Sequence, residues 1–300
     1  MTWFIYALLA PLVFTVVNFV DKLILEKHIR NPLMMSPFVS LMALLNGTVL
    51  WVLTGFPVLS LHDMVIVIFP GLLTAFGAVL YYRALATEET SKVIVLIQMQ
   101  PVMVLTLAFL LLNETISPMQ LVGFVLILGA VLALSVRKGM GGIPRSTFIP
   151  LLIVNFLWSL SVVLFKFVAE TGDFTRFLAY ESWGMALGGL LIYLFFPSVR
   201  KAFHENVRQV PRRALGVIAL NETIFVVAKL MTLAAVALGP TALVSVLGGT
   251  QVFFGIVAGW LLTVVAPTVY KENINRSELV RKGAVALVLF AGIGLININA

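Results

Sequence analysis

Apolar stretches long enough to cross a lipid bilayer follow one another almost from end to end of this 300-residue chain. A bilayer core of about 30 Å takes roughly 20 apolar residues per helix. Between its charged and Pro/Gly breaks the sequence predicts ten spans, near residues 3–25, 35–56, 64–86, 91–112, 117–137, 147–169, 175–197, 214–237, 241–265 and 279–298. In lipid the backbone must satisfy its own hydrogen bonds, so spans of this kind are helices. Charged side chains make up only 11% of the chain, against about 25% in soluble domains. No room is left for a soluble domain, and the expected fold class is an all-α integral membrane protein of ten transmembrane helices. Met1-Thr2-Trp3-Phe4 offers no basic region of a cleavable signal, so the first stretch is expected to stay in the mature protein.

Composition also removes several functions. There is no cysteine, which excludes disulfides, thiolate metal sites and cysteine catalysis. The net charge of +7 comes from Lys and Arg in short loops between apolar stretches, a pattern suited to anionic headgroups rather than nucleic acid. His28, His62 and His204 are scattered and read as loop residues, with no metal-binding pair among them. No phosphate-binding glycine loop and no Gly-x-Ser-x-Gly elbow occurs. Neither a cofactor nor a metal is expected, and an enzyme is disfavoured.

Near the middle, Arg137 to Ser146 breaks the hydrophobicity with Lys138, three glycines, Pro144 and Arg145. The break suggests a first five-helix repeat over 1–138, a linker over 139–146 and a second repeat over 147–300. Sliding the chain by 144 lays Phe14-Thr15 on Trp158-Ser159, Lys22 on Lys166 and Glu26 on Glu170. A shift of 150 lays Ala84 on Ala234, Ala108 on Ala258 and Leu111-Leu112 on Leu261-Leu262. An odd number of spans per half makes the repeats inverted, and such carriers place their substrate sites near the midplane between halves. Gly184-x-x-x-Gly188 and Gly255-x-x-x-Gly259 put small residues on one helix face, where backbones can approach.

An ionisable group inside a span costs a few kcal/mol, so it faces a partner or a cavity. Glu222 and Lys229 are such a case: seven residues apart on one face of the eighth span, too far apart for a direct pair, so each needs another partner or water. Glu222 could take a proton or a substrate ammonium, and Lys229 a carboxylate or phosphate; interhelical pairing is the alternative for both. Lys22 and Lys166 sit late in their helices, either snorkelling to headgroups as anchors or gating. Asn18, Gln98, Gln100, Asn155, Asn221 and Gln251 are polar residues within spans, suited to interhelical hydrogen bonds or to lining a cavity. Tyr81, Tyr82, Trp158 and Tyr180 suit either an apolar substrate or an interfacial belt.

Several motifs in order resemble the EamA-like group of ten-span carriers in the drug/metabolite transporter superfamily. Trp158-Ser159 with Lys166 resembles the opening Trp-small…Lys pattern, and Phe14-Thr15…Lys22 is its first-half counterpart. Tyr81-Tyr82-Arg83-Ala84-Leu85 with Thr90-Ser91 is similar to the aromatic hairpin before the fourth span; Pro101, Asn113-Glu114, Gly123 and Gly129 continue the likeness. Phe14 stands where tryptophan is usual, and Pro267 to Glu278 is longer and more charged than the matching first-half turn, which suggests a surface amphipathic element or a solvated loop. The resemblance implies movement of small organic metabolites, amino acids or drugs across the bacterial or archaeal inner membrane, commonly outward and coupled to proton or other gradients. Competing readings are a lipid-linked sugar flippase, an intramembrane enzyme and a non-transporting scaffold. Orientation is in conflict: basic residues crowd the loops after odd-numbered spans and favour external termini, whereas the resemblance implies cytoplasmic ones.

Overall fold

The computed structural model describes residues 2–29, 31–112, 117–135, 144–169, 174–238 and 247–296. Among these residues every regular element is helical. In chain order the α-helices are α1 (Thr2–Lys27), α2 (Met35–Leu53), α3 (Leu61–Thr87), α4 (Thr90–Ile97), α5 (Gln100–Leu112), α6 (Pro118–Ser135), α7 (Arg145–Ala169), α8 (Phe174–Phe195), α9 (Pro197–Asn206), α10 (Arg212–Leu238), α11 (Gln251–Val265) and α12 (Arg276–Ile296). Among the described residues seven segments are long and apolar enough to cross a membrane: Trp3–Lys27, Pro32–Leu53, Leu61–Thr87, Thr90–Leu111, Arg145–Leu164, Phe177–Phe195 and Arg212–Ala235. Large apolar side chains such as Leu53, Phe195 and Val265 are 73–80% exposed, an exterior that suits hydrocarbon and not water. Most of the expected linker, Asn113-Glu114 and residues 241–246 of the ninth predicted span lie outside the described residues.

Local chemistry sets the breaks. The Ser60 hydroxyl accepts from the Asp63 amide at 3.1 Å and caps the start of α3. The fourth predicted span is not one helix: Pro101, in the first turn of α5, brings no amide donor, and the chain turns at Gln98-Met99 between α4 and α5. Two of the histidines are also not in loops. His62 lies in the first turn of α3, and His204 lies in α9, a short helix with Pro197 first and Arg200 and Lys201 along it, where its ring meets the Tyr193 hydroxyl at 2.7 Å.

Helix α8 packs on both α2 and α3; α3 also packs on α7, α1 on α10, and α6 on α12. The α3–α8 seam is a backbone contact. A Cβ at Gly71 would stand 2.1 Å from the Glu181 carbonyl, and one at Gly184 would stand 2.1 Å from that of Ile68. Gly184 and Gly188 therefore serve the close approach expected of a small-x-x-x-small pair. Gly259 has a different use, since its missing side chain leaves space that the Glu272 carboxyl group occupies, 3.2 Å from where a Cβ would be.

Candidate functional site

Two groups of polar side chains are buried in this apolar bundle. The first lies mid-way along α10 and nearer the ends of α1 and α3. Asn18 and Asp21 are three residues apart on α1 and share a face; α3 brings Tyr81 and Tyr82, α10 brings Asn221 and Glu222, and α11 begins with Gln251. Gln98 enters from the turn between α4 and α5, so the proline break places it here.

Hydrogen bonds run through this group in one sense. Gln98 Nε2 donates to Gln251 Oε1 at 3.4 Å, Gln251 Nε2 to Asn18 Oδ1 at 3.0 Å, and Asn18 Nδ2 to the Tyr81 hydroxyl at 2.7 Å. The Tyr81 hydroxyl then donates to Asp21 Oδ2 at 3.2 Å, while Asn221 Nδ2 donates to Asp21 Oδ1 at 2.9 Å. Beside it, the Tyr82 hydroxyl donates to Glu222 Oε1 at 3.3 Å. The Tyr81 and Tyr82 rings lie 5.1 Å apart, and Trp158 of α7 stands 5.7 Å from Tyr81 with its indole N–H donating to the Thr74 carbonyl at 3.3 Å. Gly77 makes the room for that indole, because a Cβ there would lie 2.4 Å from its nitrogen. Of the residues named from the sequence, Asn18, Tyr81, Tyr82, Gln98, Asn221, Glu222 and Gln251 are thus brought together, and Trp158 walls the group.

Lys229 belongs to a different pairing. Its ammonium is bound by both carboxylate oxygens of Glu181 on α8, which is the partner its position required. Glu222, Phe225, Lys229, Glu181 and Asn46 line a cavity of about 20 Å³, room for one water-sized occupant. Asp21 and Glu181 were not singled out from the sequence. The rule applied to Glu222 covers both, since each is an acid inside a predicted span; Asp21 adds the three-residue spacing from Asn18.

The second group lies where the ends of α1 and α3 meet α4 and the α11–α12 connection. Lys22 does not snorkel to headgroups: it is 6% exposed, and its ammonium donates to the carbonyls of Leu85, Ala86 and Glu88 at 2.8, 3.4 and 3.1 Å and pairs with Glu26 at 3.2 Å. It caps the carbonyl end of α3. The side chain of Lys166 lies outside the described residues. Nor is Pro267 to Glu278 a surface element throughout, because Glu272 is buried within it. Glu272 accepts from the Ser91 amide at 2.9 Å and the Ser91 hydroxyl at 2.5 Å. Lys282 ties both together, with Glu89 at 2.6 Å, Glu272 at 2.8 Å and Ser91 at 2.8 Å; Lys92 pairs with Glu89 at 2.7 Å.

A polar cavity of about 430 Å³ opens here, lined by Lys22, Glu26, Glu89, Lys92, Lys271 and Glu272 among others. Burial opposes ionisation of Glu89, but Lys282 and Lys92 outweigh it and hold the carboxyl down at about 2. Burial wins at Glu272 and pushes it up, against the pull of Lys282. Burial likewise pushes Glu88 up. Among the described residues no three His, Cys, Asp or Glu side chains form a metal-binding group.

The helices, their apolar exterior and their buried polar centre define an integral membrane protein. Residues 1–136 match the model of the EamA-like transporter family, which belongs to the drug/metabolite transporter superfamily. Over those residues the match points to a membrane transporter of small solutes. A crystal structure of another protein is similar to it over 95% of this chain and 98% of its own, with a TM-score of 0.58 and 16% identity; that likeness shows the fold alone. No curated protein matches the sequence.

Proposed function

We propose that the protein is a secondary transporter of small organic metabolites such as amino acids or drugs, exporting them across a bacterial or archaeal cytoplasmic membrane by alternating access. Ten helices in two inverted halves, 1–138 and 147–300 about the 139–146 linker, would rock about a central site. The observation that carries this reading is the network through Tyr81 and Asp21. Asn18, Tyr81 and Gln98 come from one half and Asn221, Glu222 and Gln251 from the other, so each relative movement of the halves remakes the hydrogen bonds at the centre. Buried polar groups in lipid are costly unless paired, and a purely structural bundle has little reason to keep so many at one level. Helix pairing supports the mirrored halves: α1 packs on α10 as α7 packs on α3, its counterpart pairing under exchange of halves. Lys229 is held by Glu181, so an anionic solute group would have to displace that carboxylate.

The test is solute counterflow into proteoliposomes, run across a panel of amino acids, organic amines and apolar drugs. Saturable exchange of at least one solute, lost in Gln251→Leu and Asn18→Leu, is the expected result. If no panel member exchanges, or if both variants exchange as the parent does, the network is not the transport site.

A further inference from the structure

Helix α9 lies between two spans and shows two unlike faces. Pro197, which needs no amide partner, begins it, and near its end the Asn206 side chain donates to the Ala202 carbonyl at 2.9 Å. Val199 and Ala202 are buried, and Phe203 on the same face packs on Phe38 of α2 and Tyr193 of α8, with ring centroids 5.5 and 5.9 Å away. The bond between the Tyr193 hydroxyl and His204 ties α9 to α8 a second time. One face of α9 is thus fixed on the bundle, against the α1–α2 connection and the end of α8.

The opposite face is basic. Arg200, Lys201 and Arg208 fall on it at helical spacing and are exposed, and Arg212 and Arg213 follow, also exposed, where α10 starts. Glu205, 3.8 Å from Lys201, is the one carboxylate between Pro197 and Arg213. Among the described residues none of Arg200, Arg208, Arg212 and Arg213 pairs with a carboxylate. Like charges massed on a fixed surface favour an anionic partner, and position decides which. Leu194, Phe195 and Phe196 are exposed at the end of α8, and Leu215 is exposed in the first turn of α10, so the patch begins and ends on apolar side chains that face hydrocarbon. The Arg200 guanidinium donates to the Leu194 carbonyl at 3.3 Å, which holds it beside those residues, at the depth where acyl chains give way to headgroups. That bond leaves most of its N–H donors free, and the guanidinium fork matches two phosphate oxygens. The apolar flanks suit lipid and offer nothing to a soluble polyanion.

We infer that the outer face of α9, with Arg200, Lys201 and Arg208 at its centre and Arg212 and Arg213 at its edge, is a binding surface for the headgroups of anionic phospholipids in the leaflet at that end of the bundle. The packing of Phe203 and Tyr193 makes it a defined surface rather than a diffuse cloud of charge, so it takes lipid saturably and prefers headgroups of net negative charge to zwitterionic ones. Because α9 joins α8, which carries Glu181, to α10, which carries Glu222 and Lys229, bound lipid steadies the connection between two helices of the buried polar groups. The inference goes beyond the transport reading and is tested without transport.

The experiment titrates the full chain, in neutral detergent, with phosphatidylglycerol or with phosphatidylcholine of the same acyl chains, and counts bound lipid by native mass spectrometry. The parent should take up phosphatidylglycerol saturably and in preference to phosphatidylcholine. The triple variant Arg200→Gln/Lys201→Gln/Arg208→Gln should bind phosphatidylglycerol at least roughly tenfold more weakly. Lys27→Gln/Arg83→Gln/Arg276→Gln, which removes the same charge from other exposed positions, should bind it as the parent does. Equal loss in the two triple variants would mean that net charge alone draws lipid and would overturn the inference, as would equal uptake of the two lipids by the parent or unchanged binding in the first variant. A salt series on the parent needs no variant to fold: added sodium chloride should weaken phosphatidylglycerol binding, and binding indifferent to salt would count against the basic face.

Discussion

Two groups of acids in the bundle are treated in opposite ways. At the end of the bundle Glu89 and Glu272 share Lys282, Lys92 adds a second ammonium and Ser91 adds a hydroxyl. In the other group Asp21 and Glu222 receive only tyrosine and asparagine donors. The first arrangement is closed: its charges cancel within the protein and it ties residues 89–92 of the first half to 272–282 of the second. The second holds two carboxylates with no ammonium on either, and that is the contrast between the two sites.

The largest effect is expected from removing the charge that closes the latch. Lys282→Met leaves buried Glu272 without its ammonium, though Glu89 keeps Lys92, and should destabilise the protein by about 3–5 kcal/mol, read by thermal or denaturant unfolding in detergent. A loss under about 1 kcal/mol would mean that the latch is not what holds these segments together. Glu89→Gln should cost less, roughly 1–3 kcal/mol at neutral pH, because Glu272 remains for Lys282.

The pH dependence of the latch has a definite sign. Glu89 is held at about 2 in the fold against an ordinary value of 4.5, so its contribution is present above that ordinary value and is lost as pH falls towards 2. Glu272 is pushed the other way by burial; its contribution is present below 4.5 and is lost as pH rises through its raised value. Acid unfolding should therefore be shallower in Glu89→Gln than in the parent, while Glu272→Gln should leave the acid limb steep. Equal acid limbs in Glu89→Gln and the parent would remove Glu89 as the titrating group.

The smallest change is expected at Asp21. Asp21→Asn removes a carboxylate that has no ammonium, and the new amide can donate to the unused Asn221 oxygen after that side chain turns over. In choline buffer at neutral pH its stability should stay within about 1 kcal/mol of the parent, in either direction. A loss as large as that of Lys282→Met would erase the contrast between the two sites.

Much of this was open to reading in the sequence, for physical reasons that differ by residue. Twenty-residue apolar stretches admit few folds, so the helices of the spans follow from lipid as solvent. Polar groups within spans must find partners, which is why Asn18, Gln98, Glu222 and Gln251 stood out and why they meet. Their partners did not follow, because a linear pattern fixes a residue's level along a helix and not the neighbour it turns towards. Lys22 shows this: adjacent to Asp21 and late in α1, it reads as an anchor, but the end of α3 lies within its reach and takes its ammonium. Asp21 was hidden behind that same lysine. Glu272 needed the fold of the α11–α12 connection and the space left by Gly259, neither of which a loop sequence discloses.

Carbodiimide labelling of carboxyl groups in the intact protein, mapped by peptide mass spectrometry, addresses the contrast most directly, since the reagent couples to protonated acids in apolar surroundings. The account predicts label on Asp21 or Glu222, with Glu89 unlabelled throughout. Label on Glu89 with Asp21 and Glu222 untouched at every pH and salt would contradict it.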